Sequence, residues 1–99
     1  ARTFADGAAV RVPVAEALAI YGERASRIAA VDDDAIADAI RILWEDTHNL
    51  AEGAGAMALA GLVQESEAMA GKRVGVILSG GNIDRAWAAE ALSGGTPHA

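Results

Sequence analysis

The clearest pattern along the chain is a helical repeat of large apolar residues near its middle. Four of them recur at positions i, i+4, i+7 and i+8 and so share one helix face: Ile36, Ile40, Leu43 and Trp44. Asp32 or Asp33 is expected to cap this helix, because an aspartate side chain accepts hydrogen bonds from the first backbone N–H groups. The pattern fades at residues 48–49, where the helix is predicted to end.

Three further helices are predicted at residues 13–24, 52–69 and 82–92. Pro13 suits a first helical turn, since that position needs no backbone N–H donor. The second of these segments is unusually rich in glycine and alanine. Asn82 is expected to cap the third, which ends where Gly and Pro accumulate.

Between these segments lie apolar stretches that predict strands. Residues 2–12 are expected to be extended, residues 27–31 form a short apolar run, and residues 73–78 (RVGVIL) are continuously apolar. A continuous apolar run is typical of a parallel strand that is covered on both faces. The alternation of helices with such runs predicts an α/β fold, in which short parallel strands alternate with helices.

Composition changes this picture in one respect. The chain of 99 residues is 53% hydrophobic, but alanine supplies 25 of those residues and aromatic residues only 4% of the chain. Burial free energy follows apolar area, and a methyl side chain contributes little. We therefore expect a segment that packs against a larger body, with a domain portion over residues 1–92 and a flexible tail over residues 93–99.

Charge and residue types narrow the possible functions. A net charge of −6 argues against nucleic-acid binding, which needs clustered Lys and Arg, and no apolar run is long enough to indicate a membrane partner. The absence of cysteine excludes disulfides, Cys-bound zinc and a thiol nucleophile. A chain without disulfides suits a reducing compartment, so a cytoplasmic location is expected. His48 and His98 lie far apart without a carboxylate pattern, so no metal site is predicted.

Two glycine-rich patterns are candidates for a binding site. Gly53-x-Gly55-x-x-Ala58 matches a dinucleotide motif, but it follows a predicted helix instead of a strand. Close helix packing through Gly55 and Gly61 is the better interpretation. Residues 79–82 (SGGN) do lie between a predicted strand and a predicted helix, where α/β sheets bind ligands. A ligand-binding loop and a simple turn remain equally open from physics alone.

Three blocks of sequence then carry a resemblance to a known family. Residues 73–84 (RVGVILSGGNID) strongly resemble the C-terminal signature of threonine and serine dehydratases. Residues 3–10 (TFADGAAV) and 52–56 (EGAGA) resemble two further blocks of the same family, in the same order. These are pyridoxal-phosphate (PLP) enzymes of the tryptophan-synthase-β-like fold, fold type II, a group that includes serine racemase. The chain is similar to the C-terminal portion of their large domain.

The resemblance implies a cofactor-binding role for one loop. Ser79 occupies the position of the serine that hydrogen-bonds the pyridine nitrogen of the cofactor, and Gly80, Gly81 and Asn82 belong to the same cofactor-binding loop. Gly7 matches a glycine that places backbone beside the cofactor. A serine hydroxyl is too weak an acid to protonate that nitrogen, whereas a carboxylate would hold it protonated.

Two acidic residues complete the implied site, and the single lysine does not belong to it. Glu52 matches a residue near the cofactor that could assist proton movement, although an acid in a helix's first turn is also favoured by the helix dipole. Asp6 matches a loop on the substrate side, and turn formation also explains it. Lys72 does not match the Schiff-base lysine, which lies upstream in the family, so this chain alone should be inactive.

The implied function is that of a PLP-dependent dehydratase, or ammonia-lyase. Such an enzyme converts a hydroxy amino acid such as threonine or serine to a 2-oxo acid and ammonia. The expected partners are the remainder of the same polypeptide, the hydroxy amino acid and, in the complete enzyme, further copies in a homo-oligomer. The alternative is a free-standing acidic α/β module that binds a small anion or a protein partner.

Overall fold

A computed structural model describes residues 2–99 of the chain, and the regular secondary structure among them is helical. A short 3-10 turn over Asp6–Ala8 precedes five α-helices. In chain order these are α1 (Ala15–Arg24), α2 (Asp33–Thr47), α3 (Gly53–Gln64), α4 (Ser66–Met69) and α5 (Arg85–Leu92). The described chain is flat, with extents of 39 × 36 × 18 Å. Of the five helices, none combines the length and apolar character needed to cross a bilayer.

Helix α2 confirms the clearest prediction from the sequence. The Asp32 side chain caps it, with Oδ1 accepting a hydrogen bond of 2.8 Å from the backbone N–H of Ala35. Ile36 and Ile40 are buried on the predicted face. The helix ends at Thr47 because His48 adopts a left-handed conformation, with φ of 57°.

Replacing the capping aspartate should lower stability in a predictable way. We expect Asp32→Ala to reduce the free energy of unfolding by about 1 kcal/mol, since the backbone N–H of Ala35 loses its acceptor. Asp32→Asn keeps an acceptor oxygen and should cost much less. Chemical denaturation of the full-length protein measures both. Equal midpoints for the parent and Asp32→Ala would show that this cap does not stabilise the helix.

Two boundaries among the later helices differ from the prediction. The expected single helix over residues 52–69 is interrupted at Glu65, whose φ of −107° and ψ of 23° separate α3 from α4. The last helix starts at Arg85 and not after Asn82. Asp84 caps it instead, because its Oδ1 accepts hydrogen bonds from the backbone N–H groups of Ala86 and Trp87 at 2.8 and 3.4 Å.

The predicted α/β alternation of parallel strands with helices is wrong for this chain. Residues 2–99 contain no strand, and this includes the predicted runs at 27–31 and 73–78. A strand needs a neighbour that pairs with its backbone, and residues 73–79 form no backbone hydrogen bond to another segment. The apolar composition of these segments therefore indicates high β-propensity, but it does not show whether another strand is present to pair with them.

The hydrophobic core lies between α2 and α3 and is small, as the alanine content predicts. Its largest fully buried side chains are Phe4, Ile36 and Ile40, and most of the other buried apolar residues are alanines. Helix α5 packs on α2, and the 3-10 turn packs on α3. Helix α1 buries none of its residues and contacts none of the other described helices.

The last residues of the chain lie against α2. The Thr96 hydroxyl donates a hydrogen bond of 2.7 Å to Oδ1 of Asp34, and Pro97 is buried. Arg41 reaches across to donate to the carbonyl oxygens of Ala91 and Gly95 at 2.8 and 3.0 Å. These contacts place residues 93–99 on the helical body. A domain boundary at residue 92 stays a prediction.

Candidate functional site

The start of α3 is the point where a second segment of the chain makes close backbone contact. The backbone N–H of Glu52 donates a hydrogen bond of 3.1 Å to the carbonyl oxygen of Gly80. One turn further on, a Cβ atom on Gly55 would overlap that same carbonyl oxygen. The clash would be with backbone, which a side-chain rotation cannot relieve. Glycine at position 55 therefore lets the loop of residues 79–82 approach the helix.

Glycines on the loop side make the same contact possible. A Cβ atom on Gly80 would overlap the Glu52 carboxylate, and one on Gly81 would lie 2.7 Å from the carbonyl oxygen of Leu50. The loop thus rests on the segment that leads into α3, with Gly80 against the Glu52 side chain and Gly81 against the Leu50 carbonyl. At position 81 the contacted atom is a backbone oxygen, so this close approach requires glycine there.

The N-terminal segment reaches the same helix end from another direction. A Cβ atom on Gly53 would lie 2.8 Å from Cα of Ala5, and one on Gly7 would lie 3.1 Å from Cβ of Ala54. Phe4 is buried beneath this segment and meets Trp87 edge to face, with ring centroids 6.1 Å apart. Trp87 thus packs α5 against the N-terminal segment.

A pocket of about 50 Å³ lies among these three segments. It is lined by Phe4, Asp6, Glu52, Gly53, Asn82, Ile83, Asp84 and Trp87. The fold thus brings together Asp6, Glu52 and Asn82, which are far apart in the sequence. Ser79 immediately precedes this contact and is exposed, so its hydroxyl is accessible to a ligand. The roles of all these residues remain predictions.

Two contributors to this site were not predicted from the sequence. Asp84 lines the pocket while it caps α5, and Leu50 supplies the carbonyl that meets Gly81. Asp84 stands directly before the alanine-rich helix, which is a capping signal that was assigned to Asn82 instead. Nothing in the side chain of Leu50 signals its role, because the contact is made by its backbone.

The proposed close packing through small residues is confirmed at one glycine and wrong at the other. Gly55 is buried against the backbone of Gly80. A Cβ atom on Gly61, by contrast, would meet nothing within 4 Å in the described chain. The glycine content of α3 therefore matters at its first turns, beside the pocket.

Two larger pockets lie elsewhere in the structure. One of about 430 Å³ is bordered by residues 2–8 and the start of α2, and one of about 250 Å³ lies between α2 and α3. Neither contains a residue of the 79–82 loop, and the second is lined mainly by apolar side chains. Within residues 2–99, no group of three His, Cys, Asp or Glu side chains is arranged to hold a metal ion.

Comparison with known proteins defines the class to which this fold and site belong. The model of the pyridoxal-phosphate dependent enzyme family matches residues 1–80, which is most of the chain. The chain belongs to this family, and the resemblance drawn from its three sequence blocks is confirmed.

Individual relatives narrow the similarity further. The chain is 39% identical over 82 residues to L-threonine ammonia-lyase of Thermotoga maritima, covering 83% of this chain and 20% of that protein. It is 42% identical over 59 residues to beta-hydroxyaspartate dehydratase of Paracoccus denitrificans, covering 60% and 19%. It is 33% identical over 93 residues to L-threo-3-hydroxyaspartate ammonia-lyase of Saccharomyces cerevisiae, covering 94% and 28%. The chain spans about a fifth of the length of most of the curated relatives that it matches.

The residues present fit the cofactor of this family in two respects. The exposed Ser79 hydroxyl is a neutral hydrogen-bond donor, which suits an aromatic nitrogen acceptor. The close contact between Gly55 and Gly80 packs the backbone next to Ser79 against α3. Lys72, the single lysine, is exposed after α4 and lines none of the three pockets.

Proposed function

We propose that the chain is the C-terminal segment of a PLP-dependent dehydratase that converts a hydroxy amino acid, such as threonine or serine, to a 2-oxo acid and ammonia. One observation carries the proposal: in a member of this family, the 79–82 loop rests on the start of α3 through contacts that only glycine allows. The names of the relatives, which are threonine and hydroxyaspartate ammonia-lyases, support the choice of substrate class.

In this proposal Ser79 would hold the cofactor by donating its hydroxyl to the pyridine nitrogen. Gly80, Gly81 and Asn82 would form the adjoining wall, and Gly7 would place backbone on the opposite segment. When bound, PLP supplies an electron sink that makes the substrate's Cα proton acidic. A neutral partner such as serine leaves the ring nitrogen unprotonated, which moderates that sink and favours loss of the β-hydroxyl.

Glu52 would assist proton transfer or orient substituents of the cofactor ring at the same site. Its backbone N–H is engaged by Gly80, but its side chain makes no capping hydrogen bond to α3. The half-buried carboxylate lines the pocket instead, beside Asn82. Asp6 lines the pocket from the N-terminal segment and would face the substrate side.

Glu52→Gln separates a chemical role from a purely structural one. We expect turnover per bound cofactor to fall about tenfold in the full-length enzyme, equivalent to roughly 1.4 kcal/mol of transition-state stabilisation. If Glu52 only favoured the helix dipole, the substitution would cost roughly 0.3–1 kcal/mol of stability and leave turnover unchanged. Steady-state rates and denaturation midpoints of the same preparations distinguish the two outcomes.

The remaining partners in this proposal are the rest of the polypeptide and further copies of the complete enzyme. The Schiff-base lysine would come from the rest of the same polypeptide, since Lys72 lies outside the candidate site. Assembly of the complete enzyme as a homo-oligomer and a cytoplasmic location stay predictions.

The proposed function is tested with the full-length protein loaded with PLP. L-threonine, L-serine and L-threo-3-hydroxyaspartate are supplied separately, and 2-oxo acid and ammonia are both measured. We expect equal amounts of the two products from at least one of these substrates. Full cofactor loading without 2-oxo acid from any of the three would refute the dehydratase assignment.

A further inference from the structure

We propose that Asp33 is a positioning residue for the site: through Thr3 it holds the N-terminal segment that borders the pocket. This inference rests on the proposed function. The Thr3 hydroxyl donates a hydrogen bond to Oδ1 of Asp33, the first residue of α2. The same hydroxyl oxygen accepts a hydrogen bond of 3.1 Å from the backbone N–H of Ala5. One hydroxyl group thus links α2 to the backbone of the segment.

The segment held in this way is the one that meets the start of α3. Ala5 is buried with its Cα against Gly53, and the adjoining Asp6 lines the pocket. Beyond Ala5 the backbone closes on itself, because the N–H of Ala8 donates to the carbonyl of Ala5 at 2.9 Å. A displacement at Thr3 would therefore be passed to Asp6 as part of one compact turn.

Hydrophobic burial holds the N-terminal segment on the core, whereas the hydrogen bond between Thr3 and Asp33 restricts its position and orientation. Burial of Phe4 favours contact with the core, but it is non-directional and tolerates sliding or rotation. Hydrogen bonds restrict both distance and angle. The link from Asp33 through Thr3 to Ala5 therefore sets where the backbone of residues 5–7 lies relative to the first turn of α3.

The next residue of α2 provides a matched control. Asp34 accepts a hydrogen bond of 2.7 Å from the Thr96 hydroxyl, which is the same pairing of threonine with aspartate. That bond ties the C-terminal residues to the helix. Neither of its partners lines the pocket, and neither does any residue next to them in the sequence, whereas Phe4, which follows Thr3, does line it. Loss of either bond removes similar chemistry, but only the Thr3 bond lies beside the site.

The test compares Thr3→Val with Thr96→Val in the full-length enzyme. We expect turnover per bound cofactor to fall about tenfold in Thr3→Val, the size of one lost hydrogen bond to a charged group, and to stay at the parent value in Thr96→Val. Thr3→Ser keeps the hydroxyl and should restore most of the activity. Asp33→Asn keeps an acceptor oxygen and should give an intermediate rate if Thr3→Val does not fold.

A second measurement does not depend on the cofactor or on activity. Amide hydrogen exchange of the cofactor-free protein should be about tenfold faster over residues 5–9 in Thr3→Val than in the parent or in Thr96→Val. Unchanged exchange in Thr3→Val would overturn the proposal, and so would faster exchange with unchanged turnover, which would make the link purely structural. An inactive parent enzyme would refute the proposed function instead, while the exchange rates would still decide whether Asp33 positions the segment.

Discussion

Gly55→Ala is expected to displace the 79–82 loop from α3 and to weaken PLP binding by the full-length enzyme. The added methyl group would overlap the carbonyl oxygen of Gly80, so either the loop or the helix must move. Overpacking of this kind costs about 1–3 kcal/mol of unfolding free energy. Because Ser79 directly precedes Gly80, the same movement should raise the dissociation constant for PLP by at least roughly tenfold, if 1.4 kcal/mol of the strain falls on the bound state.

Gly61→Ala provides the control for this prediction within the same helix. A Cβ atom at this position meets nothing within 4 Å in the described chain, so no strain is introduced there. Alanine favours a helix interior over glycine by about 1 kcal/mol, and stability should stay constant or rise. Denaturation midpoints and PLP titrations of both variants give the comparison. Equal behaviour of the two variants would mean that the contact between Gly55 and Gly80 does not shape the site.

Ser79→Ala should lower turnover by roughly 5- to 150-fold at matched cofactor occupancy. Removal of the hydroxyl leaves the pyridine nitrogen without its donor, and an unsatisfied acceptor costs about 1–3 kcal/mol. Where that cost falls on the transition state, it converts to the stated loss in rate. The experiment measures 2-oxo acid formation by parent and variant with the bound PLP quantified in each preparation.

The contrasting outcome would assign Ser79 to the turn alone. A turn residue would affect only the stability of the 79–82 loop, and its substitution would leave turnover per bound cofactor at the parent value. Ser79 is exposed in the structure, so the substitution removes no buried contact within the described chain. A loss of activity at full occupancy could not then be ascribed to misfolding of the core.

The helices could be predicted from the sequence where large side chains recur with helical spacing. Ile36 and Ile40 define the buried face of α2, and Asp32 caps it as expected. Such features depend on neighbours within a few residues, which are present in the sequence itself. The cap of α5 was harder to predict, because Asn82 and Asp84 are both capping residue types. Only the hydrogen bonds observed in the structure identify Asp84 as the cap.

The strands could not be predicted correctly, since pairing depends on a partner that a sequence pattern does not reveal. Residues 73–78 have the β-branched, apolar composition of a buried strand, yet Ile77 is 79% exposed and the segment pairs with nothing in the described chain. Composition indicates only that a segment can form a strand when a pairing partner is present. Whether it forms a strand depends on backbone hydrogen bonds from elsewhere.

The candidate site could be predicted as a set of residues but not as an arrangement. The sequence blocks indicated Asp6, Glu52 and residues 79–82. Asp6, Glu52 and Asn82 line one pocket, and the glycines of the loop contact the segment that leads into α3, whereas Ser79 does not line the pocket. Which glycine makes the close contact was not predictable, because Gly55 and Gly61 have similar local sequence contexts. The choice depends on the position of the 79–82 loop, which is a tertiary contact.

The most direct test of a contact between residue 79 and the cofactor is the absorbance spectrum of PLP bound to the Ser79→Asp variant of the full-length enzyme. If Ser79 contacts the pyridine nitrogen, a carboxylate at this position favours the protonated ring. We expect a spectrum that differs from that of the parent and of Ser79→Ala at equal cofactor occupancy, together with altered turnover. A spectrum and a turnover rate that both match the parent would show that residue 79 does not contact the cofactor, and would contradict the account.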